Sequence, residues 1–137
     1  MKRLIPWFVG LSGVFFALAV MANLPSSRPN ELMPEEVLER QATGSALIID
    51  VRTPREYEAS HVEGAYLIPL SQVSRRANEI AQFAEGREIV LYCRTGRRAG
   101  IAEDILRDHG ITAIYHLHGQ LSGWRAAGLP VGTGIEG

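Results

Sequence analysis

The sequence predicts an α/β fold: a parallel sheet flanked by helices on both faces, preceded by one N-terminal hydrophobic helix. Short, continuous apolar runs recur along the chain, and such runs are typical of strands buried on both faces. Segments with apolar residues at helical spacing separate these runs. Because strands that alternate with helices are joined by crossover connections, they form a parallel sheet. The length of 137 residues allows one compact domain but not two.

The N-terminal hydrophobic segment is the first predicted element. Lys2 and Arg3 precede an uncharged apolar stretch at 4–22, and this pattern directs export across the cytoplasmic membrane. Small residues up to Ala22 offer a signal-peptidase cleavage site, but the stretch is also long enough to stay as a transmembrane anchor. Lys2 and Arg3 would remain on the cytoplasmic side. Both outcomes predict a periplasmic domain, either soluble or anchored by the N-terminal helix.

The chain divides into four predicted segments. These are a signal peptide or membrane anchor at 1–22, a Pro- and Ser-containing linker at 23–30, a folded domain at 31–133 and a tail at 134–137. The whole chain has a net charge of −1, and all of its basic residues outside 1–22 are arginines. This balance excludes a basic nucleic-acid-binding protein. A membrane is an expected partner only through residues 4–22, if they are uncleaved.

Two helices and two strands are predicted in the first half of the domain. Pro34 followed by two glutamates suits the first turn of a helix. Thr53 and Glu56 form a capping box with a proline at the first helical position. The predicted elements are a helix from Pro34 to Gly44, a buried strand at 46–49, a helix at 54–59, and a strand at 65–68 closed by Pro69.

Two strands and three helices are predicted in the second half. Apolar residues recur at helical spacing in two segments, Val73, Ala77, Ile80 and Ala84 in the first and Ile101, Ala102, Ile105 and Leu106 in the second. The predicted elements are a helix at 73–84 ended by Gly86, a buried strand at 89–92, a helix that begins near Arg97 and ends at Gly110, a strand at 113–117, and a short helix at 121–127.

The only cysteine, Cys93, directly follows the strand predicted at 89–92. A single cysteine excludes an internal disulfide, a Cys-x-x-Cys redox pair and a Cys-rich zinc site. Functional residues of parallel sheets gather at the carboxyl ends of the strands. Cys93 is therefore either a packing residue or a lone reactive thiol, and we expect neither a metal nor a cofactor.

The residues after Cys93 favour the reactive thiol. Arg94, Arg97 and Arg98 place three positive charges within five residues, and Gly96 supplies the backbone freedom of a tight loop. A loop between a strand and a helix start can direct several N–H groups at one point, which makes an anion cradle. A thiol held there ionises more readily than a free cysteine, and the thiolate is the nucleophilic form.

The loop Cys93-Arg-Thr-Gly-Arg-Arg98 and three further segments resemble the single-domain rhodaneses. The resemblance covers residues 31–133, and the segments occur in the order found in that family. The further segments are Ile48-Ile-Asp50-Val-Arg52-Thr-Pro-Arg-Glu56-Tyr57, His61-Val-Glu-Gly64-Ala65, and Gly119 to Trp124 with Ala127-Gly-Leu-Pro-Val131.

The resemblance implies a five-stranded parallel sheet and a sulfurtransferase. Cys93 would be the nucleophile that takes sulfur from thiosulfate or a similar small anionic donor as a persulfide. The acceptor would be a thiol, cyanide or a thiol-bearing protein. The loop amides would cradle the terminal sulfur, and the arginine side chains would hold the donor. The substrate-binding residues implied in this way are Arg94, Thr95, Gly96, Arg97 and Arg98.

Two other functions stay open. One is a phosphatase or arsenate reductase with the same nucleophile. Such proteins have a longer loop of the Cys-x5-Arg type, whereas the residue six after Cys93 is Ala99, which argues against this function. The other is a non-enzymatic rhodanese-type module that binds a partner protein. The sequence departs from the family at Ala99, where Ser or Thr is common, and at Gly119-Gln120, where two glycines are common. We expect a weakened hydrogen bond near the loop and an altered C-terminal turn.

Asp50, Arg52 and His61 are possible supporting residues. Asp50 and Arg52 follow a strand on the same sheet edge as Cys93, and we expect them mainly to brace loops, with Arg52 adding to the positive field. His61 could be a base for Cys93, but an ionised thiolate needs none, which favours a structural role.

Four other polar residues are expected to have no catalytic role. His116 and His118 share one face of a strand without a third ligand, which argues against a zinc site. Glu103 and Asp104 are expected on a solvated helix face. The residues predicted to belong to the core rather than the substrate site are Leu121 and Trp124.

Overall fold

The computed structural model describes residues 30–135. The predicted signal or anchor helix at 1–22 lies outside the described residues, as does all of the predicted linker except Asn30. Residues 136 and 137 of the predicted tail also lie outside them. Within 30–135, no helix combines the length and the apolar character needed to cross a membrane.

Strands and helices alternate along the described residues, except between 61 and 84, where two strands are followed by two helices. The strands are β1 (Glu31–Leu32), β2 (Ala46–Asp50), β3 (His61–Val62), β4 (Tyr66–Leu67), β5 (Glu88–Tyr92), β6 (Ile114–Leu117) and β7 (Val131–Gly132). The helices are α1 (Pro34–Ala42), α2 (Pro54–Ala59), α3 (Leu70–Val73), α4 (Ala77–Ala84), α5 (Arg97–Asp108) and α6 (Gln120–Ala126).

Five of the strands form one parallel sheet in the order β1-β6-β5-β2-β4. This confirms the predicted α/β architecture and its five-stranded parallel sheet. Strand β5 lies at the centre, paired with β2 from Glu88↔Ala46 onward and with β6 from Ile89↔Ile114 onward. The carboxyl end of β5 is therefore in the middle of the sheet edge where functional sites of such folds form.

Each face of the sheet packs against its own set of helices. Alternate residues of a strand point to opposite faces, so Leu47 and Ile49 contribute to one core cluster and Ile48 to the other. The first cluster contains the buried faces of α3, α4 and α5. The second contains residues of α1 and α6, including Trp124, which is fully buried. The predictions that Leu121 and Trp124 belong to the core are confirmed.

Two predicted helices differ from the structure. The helix predicted at 73–84 is interrupted between α3 and α4, although all four apolar residues that predicted it are buried. In α5, Ile101 is 41% exposed rather than part of the buried face. Helix α5 presents Ala99, Ala102 and Leu106 to the sheet, and Ile101 lies two residues, or about 200°, from Ala99.

Three two-residue strands were not predicted, because two residues are too few to show a periodic pattern. Strand β1 completes the sheet by pairing Leu32 with Leu117 of β6. Strands β3 and β7 form a separate antiparallel pair in which His61 lies opposite Gly132. A Cβ at Gly132 would lie 2.8 Å from His61 Nε2, so glycine permits this close approach.

Candidate active site

Cys93 lies directly after β5, at the carboxyl edge of the sheet. Its side chain is buried, and its Sγ accepts a hydrogen bond from the Gly96 N–H at 3.0 Å. Gly96 has a φ of 95°, which an L-residue rarely adopts, and helix α5 begins at the next residue. The strand, tight loop and helix start therefore bring a backbone donor onto the thiol, as the sequence predicts.

The loop between Cys93 and α5 offers further backbone donors. The first N–H groups of a helix have no intrahelical acceptor, and α5 is twelve residues long. Within residues 30–135, no hydrogen-bond acceptor is found for five N–H groups of the loop and the first turn of α5. These are the N–H groups of Arg94, Thr95, Arg97, Arg98 and Ala99. The loop thus forms a cradle in which a negative charge is favoured.

The three arginines near Cys93 have different environments. Arg94 and Arg97 are exposed, and neither makes an ion pair with another residue between 30 and 135. Arg98 donates two hydrogen bonds to Glu56, at 2.7 and 2.9 Å. The Arg98 bonds are the largest cause that lowers the pKa of Glu56 to about 2, and the same pair raises the pKa of Arg98. Arg98 therefore fastens α5 to α2, while Arg94 and Arg97 are available to an anion.

Two surface cavities meet at Arg94. The larger, of about 810 Å³, is lined by the loop and by the end of β6. The smaller, of about 360 Å³, is lined by three arginines, Arg52, Arg94 and Arg125. Its carboxylate, Glu56, is paired with Arg98, so the smaller cavity has an excess of positive charge.

Asp50 and Arg52 form a buried ion pair below the smaller cavity. Arg52 Nη2 donates to Asp50 at 2.7 Å and to the Ser60 carbonyl at 2.6 Å. The Tyr92 hydroxyl donates to Asp50 at 2.6 Å and accepts from the Val62 N–H at 3.0 Å. Burial, followed by the Asp50 charge, raises the pKa of Tyr92 well above its usual range, so the phenol stays protonated. This network joins the ends of β2 and β5 to β3.

His61 is held away from the thiol by its own partners. Its ring stacks on Tyr57 with centroids 3.6 Å apart, and its Nδ1 lies 2.7 Å from the Tyr57 carbonyl oxygen. It is buried between that ring and Gly132. No contact between His61 and Cys93 is found in the described part of the chain, which fits the structural role favoured for His61.

Glu103 is not on a solvated face, so that prediction is wrong. Its carboxylate accepts hydrogen bonds from Asn30 and Arg107 and contacts His116 Nε2. Burial raises the pKa of Glu103, but the bonds from His116 and Arg107 outweigh it and lower the pKa overall. Asp104, on the neighbouring position, is exposed as predicted.

His116 of β6 and His118, one residue past its end, contact different carboxylates. His116 contacts Glu103, and His118 Nδ1 lies 2.8 Å from Glu31. Glu103 belongs to α5 and Glu31 to β1, so the two histidines lie in separate sites. Over residues 30–135, no group of three metal-ligating side chains comes together.

Gln120 is the residue of the site that sequence reasoning missed. Its Oε1 accepts the Cys93 N–H at 2.9 Å, and its Nε2 donates to the Leu117 carbonyl at 3.1 Å. The available signal was the Gln at a position where rhodaneses often have a second glycine. That departure predicts an altered turn, but a sequence does not show where the side chain points.

Comparisons with known proteins agree with the fold described above. A family model described as "Rhodanese-like domain" matches residues 33–127. The chain belongs to the rhodanese-like family. Sulfurtransferases occur among the relatives of this rhodanese-like domain.

A sulfurtransferase of Allochromatium vinosum is 32% identical over 103 residues, covering 74% of this chain and 94% of that protein. The thiosulfate sulfurtransferase PspE of Escherichia coli is 38% identical over 71 residues, covering 52% of this chain and 67% of PspE. The rhodanese-like domain of the Anabaena sp. Alr3790 protein, solved by NMR, superposes with a TM-score of 0.66 at 26% identity, covering 79% of this chain and 81% of that one. Against three other curated relatives, the chain spans between 49% and 60% of their length.

Proposed function

We propose that this rhodanese-like domain is a sulfurtransferase in which Cys93 carries sulfane sulfur as a persulfide. The donor is thiosulfate or a similar small anion, and the acceptor is a thiol, cyanide or a thiol-bearing protein. The observation that carries the proposal is the loop around Cys93, where the Gly96 N–H contacts Sγ at 3.0 Å. Preorganised N–H donors stabilise negative charge on sulfur without reorganising during the reaction.

The first half-reaction forms the persulfide. The Cys93 thiolate attacks the outer sulfur of thiosulfate, the sulfur–sulfur bond of the donor breaks, and sulfite leaves with the electron pair. The product is a Cys93 persulfide anion, whose terminal sulfur carries the negative charge. The Gly96 N–H, which contacts Sγ at 3.0 Å, is placed to stabilise that charge. Because Cys93 is fully buried, the exposed residues 94 and 95 of the loop have to shift to admit the donor.

The second half-reaction returns the enzyme to its starting state. A thiolate or cyanide attacks the terminal sulfur of the persulfide, the bond between the two sulfurs breaks, and the Cys93 thiolate leaves. Cyanide becomes thiocyanate, and a thiol becomes a persulfide. No oxidant, reductant or cofactor enters either half-reaction.

The charge around Arg94 supports an anionic donor. Arg94 lines both cavities, and Arg125 adds a second exposed guanidinium group to the smaller one, whereas Arg52 there is paired with Asp50. A doubly charged anion such as thiosulfate gains more from these guanidinium groups than a neutral donor does. We therefore propose that the donor binds next to the exposed arginine side chains around Arg94.

The short loop supports sulfur rather than phosphorus chemistry. Only Arg94, Thr95 and Gly96 separate Cys93 from the first residue of α5. Ala99, where a Cys-x5-Arg protein has its arginine, is fully buried on the face of α5 that packs against the sheet. No side chain at that position reaches over the loop to hold a phosphoryl oxygen.

Export is part of the proposal and rests on the sequence of the first 22 residues. Lys2 and Arg3 followed by the apolar stretch at 4–22 predict a periplasmic domain, freed by cleavage or anchored by this helix. Intact mass of the protein isolated from its native cell distinguishes the two forms. A chain that starts at Met1 in a cytosolic fraction would contradict export.

Incubation with thiosulfate followed by intact mass spectrometry tests the function. We expect the wild type to gain one sulfur atom and Cys93→Ser to gain none. Cyanide should remove the added atom and release thiocyanate. Oxidation to a sulfinic acid adds nearly the same mass, but cyanide and thiols do not reverse it. A wild type that stays unlabelled by thiosulfate and by persulfide donors would contradict the proposal.

A further inference from the structure

We propose that Gln120 is a positioning residue of the sulfur-transfer site, because its side-chain amide fixes the backbone of Cys93 to the end of β6. The inference rests on the proposed function for its kinetic consequence. The contact between Gln120 and Cys93 itself is independent of that function.

The amide of Gln120 continues the sheet where two backbone strands end. Strand β5 ends at Tyr92 and β6 at Leu117, and the next ladder bond would involve the Cys93 N–H. Gln120 Oε1 accepts that N–H at 2.9 Å, while Nε2 donates to the Leu117 carbonyl at 3.1 Å. A carboxamide carries the same acceptor and donor as a peptide group. It therefore adds one rung between β5 and β6 directly under the reactive residue.

The backbone of Gln120 is held in a conformation that glutamine does not favour. Its φ is +55°, and the preceding Gly119 has a φ of +73°. In L-residues other than glycine this region is uncommon and strained. Glycine would satisfy this turn better, so the turn does not explain a glutamine. The contacts of the buried amide are what offset the strained backbone.

The same amide also lies against the turn of the loop. A Cβ built on Gly96 would lie 3.4 Å from Gln120 Nε2. Gly96 is the residue whose N–H contacts Cys93 Sγ. Gln120 thus bonds to Cys93 and lies close to the residue that donates to the thiol. When the exposed part of the loop shifts to admit a donor, the bonds of Gln120 to Cys93 and Leu117 keep the base of the loop in register with β6.

Substitution of Gln120 by glycine and by asparagine separates the amide from the turn. Gln120→Gly removes the amide and relieves the positive φ, whereas Gln120→Asn keeps an amide that tolerates this φ but is too short to reach the Cys93 N–H. We expect both variants to fold, and both to lower kcat for thiosulfate about tenfold, the loss that one or two buried hydrogen bonds imply. KM should stay within about twofold, because the donor binds to the arginines.

Hydrogen exchange at the Cys93 amide gives a readout that does not depend on activity. In the wild type we expect this N–H to be protected, and in both variants to exchange at least about tenfold faster, while the amides of Ile89 and Leu91 in β5 stay unchanged. Gln120→Glu keeps the acceptor for Cys93 and should keep its protection.

Gln41→Asn is the matched control. Gln41 donates its Nε2 to the Glu63 carbonyl at 2.8 Å, on a surface away from the loop, so its shortening should leave kcat unchanged. Equal or higher kcat in Gln120→Gly together with unchanged exchange at Cys93 would overturn the inference. If the wild type forms no persulfide, the proposed function fails, and the exchange data still decide whether Gln120 fixes Cys93.

Discussion

At the scale of single residues, one buried carboxylate is the centre of a hydrogen-bond network near the thiol. Asp50 is fully buried and accepts hydrogen bonds from the backbone and side chain of Arg52 and from Tyr92. A buried ion pair adds little to stability as a whole, but removal of one partner leaves an uncompensated charge. Arg52 both neutralises Asp50 and lines the smaller cavity. Truncation of Arg52 would therefore change both at once and could not separate the two roles.

Tyr92 offers a cleaner test of this network. Tyr92→Phe removes the hydroxyl that donates to Asp50 and leaves the buried Val62 N–H without its acceptor. We expect the free energy of unfolding in urea to fall by about 2 kcal/mol, the cost of an unsatisfied buried group. Tyr66→Phe is the control, because Tyr66 is 48% exposed, and its effect should be close to zero. Equal stability of Tyr92→Phe and wild type would show that the network contributes nothing.

The pair of Glu56 and Arg98 predicts a stability that depends on pH. The pKa of Glu56 is lowered from 4.5 to about 2 in the folded protein. A carboxylate with a lowered folded-state pKa stabilises the protein above about pH 4.5, and this contribution is lost as the pH falls toward 2. Because both side chains are 30% exposed, solvent screening reduces the contribution to about 1 kcal/mol.

Glu56→Gln tests this dependence, because glutamine can keep the capping position at the start of α2. At pH 7 we expect the variant to unfold at lower urea concentration than the wild type, by about 1 kcal/mol. The two proteins should converge as the pH approaches 2. A difference that stays constant from pH 7 to pH 2 would assign the effect to packing instead of charge.

At the scale of elements, the loop and α5 depend on two glycines with opposite requirements. Gly96 precedes α5 with a φ of 95°, whereas Gly100 lies inside the helix with open space around its Cβ position. An alanine at Gly96 would have to adopt a conformation disfavoured by about 1–2 kcal/mol. An alanine at Gly100 would remove the entropic disadvantage of glycine in a helix.

The pair of variants separates loop geometry from helix stability. Gly96→Ala should lower the free energy of unfolding by about 1–2 kcal/mol and slow persulfide formation at least about tenfold, since the Gly96 N–H moves away from Cys93. Gly100→Ala should raise thermal stability, by up to about 1 kcal/mol, with persulfide formation retained. Both are measured by thermal unfolding and thiosulfate labelling. A Gly96→Ala that is labelled as fast as the wild type would contradict the role assigned to the Gly96 N–H.

The elements that could be predicted are those with a local signal. The capping box of Thr53 and Glu56 placed α2 at its observed bounds, because capping is decided by neighbouring residues. The interruption between α3 and α4 could not be predicted, since the apolar spacing from Val73 to Ala77 continues across it. Strands β1, β3 and β7 could not be predicted either, because they form only by pairing with strands 30 or more residues away in the chain.

At the scale of the whole molecule, positive charge is concentrated beside Cys93 although the chain has a net charge of −1. Arg94 and Arg97 are exposed at the larger cavity, and Arg94 and Arg125 at the smaller one. Attraction of an anion to such a patch weakens when salt shortens the Debye length from about 30 Å at 0.01 M to about 10 Å at 0.1 M.

Steady-state kinetics over this range of salt test the patch. We expect the KM for thiosulfate to rise several-fold, by about threefold or more, while kcat changes little. The double variant Arg94→Gln and Arg97→Gln should remove most of the salt dependence. Arg75→Gln, at an exposed position of the turn between α3 and α4, should leave it intact. A KM that does not respond to salt would contradict electrostatic attraction of the donor.

In the candidate site, contacts between residues close together in the chain could be predicted. Contacts between side chains of different elements could not. Cys93 and Gly96 are three residues apart, so their contact follows from one loop. The partners of Arg98 and Glu103 come from other elements, which decide that Arg98 is bound by Glu56 and that Glu103 is partly buried. Gln120 reaches Cys93 across the sheet, a contact set by the positive φ of a turn.

The two outermost strands of the sheet, β1 and β4, are each only two residues long. An outer strand exposes unpaired N–H and C=O groups that can template cross-β association between molecules. Two residues present too short a row of such groups to hold a second chain in register. The sheet therefore stops at borders that resist aggregation, and concentrated samples of the folded domain should stay free of amyloid-type fibrils.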